Sequence, residues 1–308
     1  MPRTMVLCAG YGTRLRPLSD ELPKPLVPFG DRSLLEHVLD GLTPAFLPAL
    51  VNAHHLAEVF AELVRSYERI ADVVVEPEIR GTAGGVAGAR ALLGPAPVIV
   101  TNGDVLARVD CAALVARTAP AGVCLAVAPR AVGEGTVGLG TEGQVVRLRG
   151  ERFGAEVASG DYVGTLALGA EPLAGLPAQG CLIGDVTLPL LRRGAPVSTL
   201  LVAGRWFAPG DGIAEYLDEH RAWLQERAAA SPASTRGGRV PELASYRGPG
   251  VTVAPGVDLD ASVLGAGVTV SGSGLLRGVV AWPGAHVSAP LEDAVVTTRG
   301  TVVRRANA

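Results

Sequence analysis

The stretch Leu7-Cys-Ala-Gly-Tyr-Gly-Thr-Arg-Leu-Arg-Pro-Leu-Ser-Asp-Glu-Leu-Pro-Lys-Pro-Leu26 decides how this chain is read. It opens on the end of an apolar run, Met5 to Ala9, that predicts a first β-strand, and passes at once into glycine. Glycines at positions 10 and 12 let backbone N–H groups approach a polyphosphate, and such a nest holds anions without a side chain. Two alternatives fail on spacing. A dinucleotide fingerprint needs glycine at position 15, where Leu15 stands. A P-loop needs Gly-Lys-Ser/Thr after four residues, and none follows. The stretch also contains Lys24, the single lysine of a chain with 26 arginines. An ammonium on a flexible stem differs from a planar guanidinium fork, and a phosphate site can need the point charge.

Composition sets the bounds. A length of 308 residues fits one large domain or two, and 48% apolar residues supply a substantial core. The formal net charge of -3 excludes a general attraction to nucleic acid or an anionic membrane, so anion binding must be local. No apolar run reaches the ~18 residues of a membrane span, and the first residues read as a strand, not a signal peptide. Cys8, Cys111, Cys124 and Cys181 are scattered without a C-x-x-C pair. They are expected reduced and buried, as in a cytoplasmic protein.

Outward from the glycine loop, apolar runs alternate with helical patterns. Strands are expected at Ala49 to Asn52, Ala71 to Glu76, Val98 to Thr101 and Val123 to Ala128. Helices are expected from a Ser33-Leu-Leu-Glu36 capping box to about Leu42, and at Ala57 to Glu68, Gly84 to Leu93 and Cys111 to Thr118. This alternation predicts an α/β fold with a mostly parallel sheet covered on both faces. Thr136 to Leu168 reads as an inserted antiparallel region, followed by helices near Asp185 to Arg193 and Ile213 to Ala229. The segment to Gly30 reads as a long Gly/Pro loop.

Residues 230–240 have linker composition. Beyond them, Val253, Leu259, Leu264, Val270, Leu276 and Val287 recur at about six-residue spacing, most with a small residue three later. That is the pattern of a short hexapeptide β-helix, with aliphatics filling the prism and small residues turning its corners. The expected domains are 1–229, a linker over 230–240, and a coil over 241–308. An exposed coil end offers an edge for self-association into a homo-oligomer.

Gly10-x-Gly-Thr-Arg14, Arg16-Pro17 and Pro23-Lys-Pro25 in one run resemble the signature of the sugar-1-phosphate nucleotidylyltransferases. Val51-Asn52-Ala-His-His55, Glu76-Pro-Glu-Ile-Arg-Gly-Thr-Ala-Gly-Gly85 and Thr101-Asn-Gly-Asp104 match further landmarks in order. The resemblance covers about residues 4 to 225, and the tail is similar to that of members with a left-handed β-helix. It implies a Rossmann-like domain and transfer of a nucleotidyl group from an NTP to a sugar-1-phosphate with Mg2+.

Residue by residue, the resemblance implies that Leu7, Ala9, Gly10, Gly12 and Thr13 bind the nucleotide, with the Gly10 to Thr13 backbone and Arg14 holding its β and γ phosphates. Lys24 would bridge the α-phosphate and the incoming sugar phosphate. Asn52, Glu76, Gly81, Thr82 and Gly84 would line the base pocket, although Asn52 also reads as a turn residue and Thr82 as a helix N-cap. Asp104 ends an apolar strand and reads as a Mg2+ ligand or as a turn aspartate. Gly138 and Gly164 would line the sugar pocket. His54 and His55 are expected to cap or pack, and zinc is not expected.

Two departures matter. The family's W-x-D segment reads Trp206-Phe-Ala208 here, leaving Asp211 either as the second metal carboxylate or as a helix cap. The family's Glu-Lys-Pro lysine has no counterpart in Val146-Arg-Leu-Arg-Gly-Glu-Arg152, so Arg149 or Arg152 would clamp the sugar phosphate unless they are plain surface charges. The first expectation for substrates is GTP with mannose- or heptose-1-phosphate. UTP or dTTP with another hexose-1-phosphate, or a catalytically silent NDP-sugar-binding relative, are the alternatives.

Overall fold

The computed structural model describes residues 3–208, 212–230 and 244–306. Asp211 and nearly all of the expected linker lie outside them. The chain forms two compact units, Met1–Tyr11 with Leu35–Ala208, and Gly12–Leu34 with Pro209–Ala308. They divide the chain elsewhere than the expected 1–229 and 241–308.

The first unit is built on a ten-stranded sheet. Its strands are β1 (Thr4–Leu7), β2 (Ala49–Ala53), β3 (Ile70–Val75), β4 (Val98–Asn102), β5 (Val123–Arg130), β6 (Val137–Leu139), β7 (Val145–Leu148), β8 (Glu151–Arg152), β9 (Ala158–Leu168) and β10 (Val197–Leu201). In the order β4-β1-β2-β3 all pairings are parallel, with Leu7 opposite Asn102 and Val6 opposite Val51. Met5, Val6 and Ala49 to Ala53 are all buried, which is why these strands read as continuous apolar runs and not as alternating ones.

Antiparallel pairing begins at β9, which joins β4 on one side and β5 on the other, while β6 to β8 form a meander beyond it. The sheet as a whole is therefore mixed, around a parallel centre. Both faces are covered. Val123, Leu125 and Val127 enter one core with Val86 and Ala89, whereas Cys124, Ala126 and Ala128 enter another with Leu114.

Some helix boundaries depart from expectation. The glycine-rich helix starts at Gly81 and runs to Ala89, three residues earlier than its pattern implied. Its N-cap is Arg80 without a side-chain bond, so Thr82 is not the cap. The helix expected near Asp185 is a wider π-turn, Leu182–Thr187, before Leu188–Arg192. All four cysteines are free thiols, but Cys181 is partly exposed where burial was expected.

In the second unit, the segment expected as an open loop is a chain of single turns. Thr13–Leu15 and Lys24–Leu26 are 3-10, Leu18–Glu21 is one α-turn, and Pro28–Phe29 pairs with Arg32–Ser33. Pro17 and Pro23 follow the first two turns and cut them short, because proline lacks the N–H that longer helices need, whereas Pro25 sits at the start of the third, where no N–H is required. Leu15, Leu18, Leu26 and Val27 are buried beneath them.

Helix Ile213–Ala229 belongs to the same unit, with His220 packed 4.7 Å from the Phe29 ring. The C-terminal strands stack in parallel on three sides. Tyr246 lies opposite Val263 and Val263 opposite Val280. Thr252 lies opposite Thr269 and Thr269 opposite His286, while Val257 lies opposite Gly274. These partners are 17 residues apart, so a turn is one residue short of three hexapeptides and one side carries five residues. Leu264, Val270, Leu276 and Val287 fill the interior, with Val253 and Leu259 against it. Val302–Arg304 returns antiparallel to Ala294–Val296 and closes one sheet edge.

Candidate functional site

In the first unit, the carboxyl ends of β1, β2 and β4 converge. Gly103 N donates to Leu7 O at 2.9 Å, and a Cβ on Gly103 would stand 3.1 Å from that oxygen. Glycine therefore lets Asn102-Gly-Asp104 lie flush along Leu7 and Cys8. The Cys8 thiol is pushed well above its ordinary range by burial, and the nearby Asp104 carboxylate adds to the shift. Asp104 is half-buried at the strand ends, while Gly10 is open, with nothing within 4 Å of a Cβ placed there.

Asn52 and Glu76 brace this edge. Cys8 N donates to Asn52 Oδ1 at 2.7 Å, and Asn52 Nδ2 donates to Glu76 Oε1 at 2.5 Å. Arg80 N reaches Glu76 Oε2 at 3.3 Å. The two residues are only 3% and 5% exposed, so both spend polar atoms on the scaffold around Gly81 to Gly85, the segment expected to line the base pocket. A Cβ on Gly85 would lie 2.8 Å from both Asn52 Nδ2 and Glu76 Oε1. The Gly84-Gly85 pair is the only sequence signal for this role. His54 packs as expected, with Nδ1 2.8 Å from Glu76 O and its ring edge-on to Tyr11.

Gly81 takes φ +73, and the helix it opens docks on residues 178–182. Ala83 N donates to Gly180 O at 2.9 Å, Gly180 N to Arg80 O at 2.8 Å, and Leu182 N to Thr82 Oγ1 at 2.8 Å. Gly84 packs against Ala178 and Arg80. Nothing in the sequence marked 178–182 as the partner of this segment.

The expected sugar side divides. Gly164 has φ +72 at a register shift in β9, and a Cβ there would meet Asn102 Nδ2 at 2.9 Å. It thus lies beside the turn that carries Asp104. Gly138 is closed by Arg147 and Glu156, its notional Cβ 2.7 Å from Arg147 Cβ. Arg147 grips Glu156 through Nε and Nη2, both at 2.9 Å, and also donates to Gly135 O and Glu134 O. Hydrogen bonds from Arg147 and Ser159 hold the Glu156 carboxyl at about 2, below its ordinary 4.5. Arg149 occupies the β7–β8 turn at φ +49 and directs Nη2 to Cys181 Sγ, 3.6 Å away. Arg152 is 68% exposed on its side chain, a surface charge.

The position of the family's second carboxylate is also visible. Phe207 and Leu106 exchange backbone hydrogen bonds of 2.8 and 3.0 Å in antiparallel sense. Ala208 thereby runs on alongside residue 105, next to Asp104. Among the described residues no three His, Cys, Asp or Glu side chains cluster as metal ligands. A single hard carboxylate at a phosphate site fits Mg2+, which keeps waters and substrate oxygens as its other ligands.

In the second unit, Gly12 adopts φ +63, ψ 26, and opens the 3-10 turn through Leu15 N to Gly12 O at 2.9 Å. Its missing Cβ would stand 2.9 Å from Lys24 Cβ and 3.1 Å from Ser19 Cβ. Lys24 is half-buried; Thr13 and Arg14 are exposed. Arg16 instead pairs with Asp20 at 3.1 Å on the surface.

Residues 3–147 match the family model described as nucleotidyl transferase. An N-acetylmuramate alpha-1-phosphate uridylyltransferase from Caulobacter vibrioides is 41% identical over 107 residues, 32% of this chain and 44% of that protein. A mannose-1-phosphate guanyltransferase from Schizosaccharomyces pombe is 39% identical over 111 residues, 34% of this chain and 31% of that one. The match thus spans less than half the length of either relative. In fold, the chain resembles HddC from Yersinia pseudotuberculosis complexed with GMP-PN, with TM-score 0.57, 17% identity, and coverage of 72% of this chain and 100% of that one. No helix among the described residues is long and apolar enough to cross a membrane. Over residues 3–147 the chain is thus similar to the nucleotidyl transferase family and, over about a third of its length, to sugar-1-phosphate uridylyl- and guanylyltransferases.

Proposed function

We propose that this chain transfers a nucleotidyl group from an NTP to a sugar-1-phosphate. An oxygen of the sugar phosphate attacks the α-phosphorus, the bond from that phosphorus to the α,β-bridging oxygen breaks, and pyrophosphate leaves. Both reactants are anions, so the protein's work is alignment and charge neutralisation. The observation that carries the reading is the intact signature, with Lys24 packed on the Gly12 turn.

Within it, the Gly10 to Thr13 backbone and Arg14 take the leaving phosphates, Leu7 and Ala9 border the nucleotide, and Lys24 takes the α-phosphate and the acceptor phosphate. Asn52 and Glu76 hold the base-pocket segment Gly81, Thr82 and Gly84 in place. Gly164 borders the sugar, and Gly138, closed by Arg147 and Glu156, supports that side from behind. The Cys181 contact leaves Arg149 a weaker candidate for the sugar phosphate. Asp104 would hold Mg2+, with Asp211 as the second carboxylate, and the ion would neutralise phosphate charge.

GTP with mannose- or heptose-1-phosphate is the first substrate pair proposed, supported by the guanyltransferase relatives. The uridylyltransferase relative supports UTP as the alternative. The C-terminal coil is taken to be a left-handed β-helix, its open end a contact for a second copy, and the protein to be cytoplasmic. Pyrophosphate release across NTPs and sugar-1-phosphates with Mg2+ tests the reading. Ala208 favours one rival, a silent NDP-sugar binder, which would bind product tightly and turn over no pair.

A further inference from the structure

The turn that carries Lys24 is gripped on both sides by the C-terminal coil, and all partners lie in the second compact unit. On one side, Glu21 ends the single α-turn Leu18–Glu21, three residues before Lys24. Its Oε1 accepts from Thr297 Oγ1 at 2.8 Å and from Thr301 Oγ1 at 2.6 Å. Those threonines are locked in a tight turn of the coil. Thr297 N donates to Thr301 O at 2.9 Å, and Thr301 N donates to Thr297 Oγ1 at 3.1 Å. Thr297 is fully buried.

On the other side, the buried indole of Trp282 in the coil donates Nε1–H to Tyr216 Oη at 3.2 Å, and Tyr216 Oη donates to Pro28 O. Pro28 lies four residues after Lys24. The same α-turn that ends in Glu21 presents Ser19 to Gly12, beside Lys24. A hydrogen bond to a carboxylate is stronger than a neutral one, and two of them converge on one oxygen. Such a clamp adds directed polar contacts to short turns that are otherwise held by the apolar packing of Leu15, Leu18, Leu26 and Val27.

We infer that the coil is a positioning element for the lysine: Thr297 and Thr301, through Glu21, hold the Lys24 turn in its reactive conformation. This rests on the proposed role of Lys24. It also gives the coil a task in the reaction itself.

The test uses the full chain. Thr297→Val with Thr301→Val removes both donors; Thr297→Ser with Thr301→Ser keeps both hydroxyls. Amide hydrogen exchange of the 12–34 peptides, without substrate, should rise at least tenfold in the valine pair, remain as wild type in the serine pair, and leave β1 and β4 peptides unchanged. Turnover should fall about tenfold in the valine pair, with KM for the NTP changed less than twofold. Should the valine pair not fold, Glu21→Ala removes the acceptor and carries the same expectations. Unchanged exchange over 12–34 overturns the clamp, and raised exchange with unaltered turnover overturns its positioning role. Lys24→Ala, assayed in parallel, reports on the function itself: if it retains full turnover, the role given to Lys24 fails, while the exchange result still judges the clamp.

Discussion

Gly12 and Lys24 are bound to one another by space: the Cβ that Gly12 lacks would stand 2.9 Å from the Cβ of Lys24, at a backbone φ of +63. A side chain at position 12 is thus excluded twice, by the left-handed backbone and by the lysine stem. Gly12→Ala should push the lysine off the turn and lower kcat/KM at least 100-fold. Circular dichroism of the variant should match wild type, because the strain is confined to one turn.

Gly85 holds the corresponding place in the helix Gly81–Ala89, which is proposed to line the base pocket. Gly85→Ala drives a methyl between Asn52 and Glu76, with 2.8 Å to each. Overpacking of this kind costs about 1–3 kcal/mol. Urea unfolding should show a lower midpoint with an unchanged slope, and KM for the NTP should rise more than kcat falls.

Glu156 gives a pH dependence. Its carboxyl sits at about 2 in the folded chain against an ordinary 4.5. A depressed folded value means that stability from the Arg147 pair is fully present above pH ~4.5 and is lost as pH falls towards 2. Wild type should lose urea resistance between pH 5 and pH 3. Glu156→Gln should be less stable at pH 7 and show a smaller loss over that interval.

The second metal carboxylate is a matter of residues 208 and 211. If Asp211 serves, Asp211→Ala should lower turnover at least tenfold and raise the Mg2+ concentration for half-maximal rate. Ala208→Asp, alongside the Asp104 turn, should restore much of that loss in the Asp211→Ala background. Activity unaffected by Asp211→Ala would remove Asp211 from the metal site.

The parallel centre of the sheet was legible because Met5–Val6, Leu50–Val51 and Val98–Val100 are buried on both faces and so read as unbroken apolar runs. Helix Ile213–Ala229 matched its pattern from end to end. The signature loop was legible as chemistry but not as structure. Its prolines read as breakers, whereas they delimit single turns whose carbonyls and N–H groups bond three or four residues apart. The 17-residue coil turn hid behind a six-residue period, since one short side per turn is a small change in a Gly/Val-rich run. The partners of the site lie far along the chain: Leu182 N on Thr82, and Thr297 and Thr301 on Glu21. No local pattern encodes pairings across 100 or 280 residues.

The most direct test of the account is pyrophosphate release by wild type and by Lys24→Arg, with Mg2+ and the best NTP and sugar-1-phosphate pair. The account predicts turnover by wild type and a loss of at least 100-fold in Lys24→Arg, because a rigid fork cannot follow the phosphate as a mobile ammonium does. Equal rates for the two proteins would contradict it.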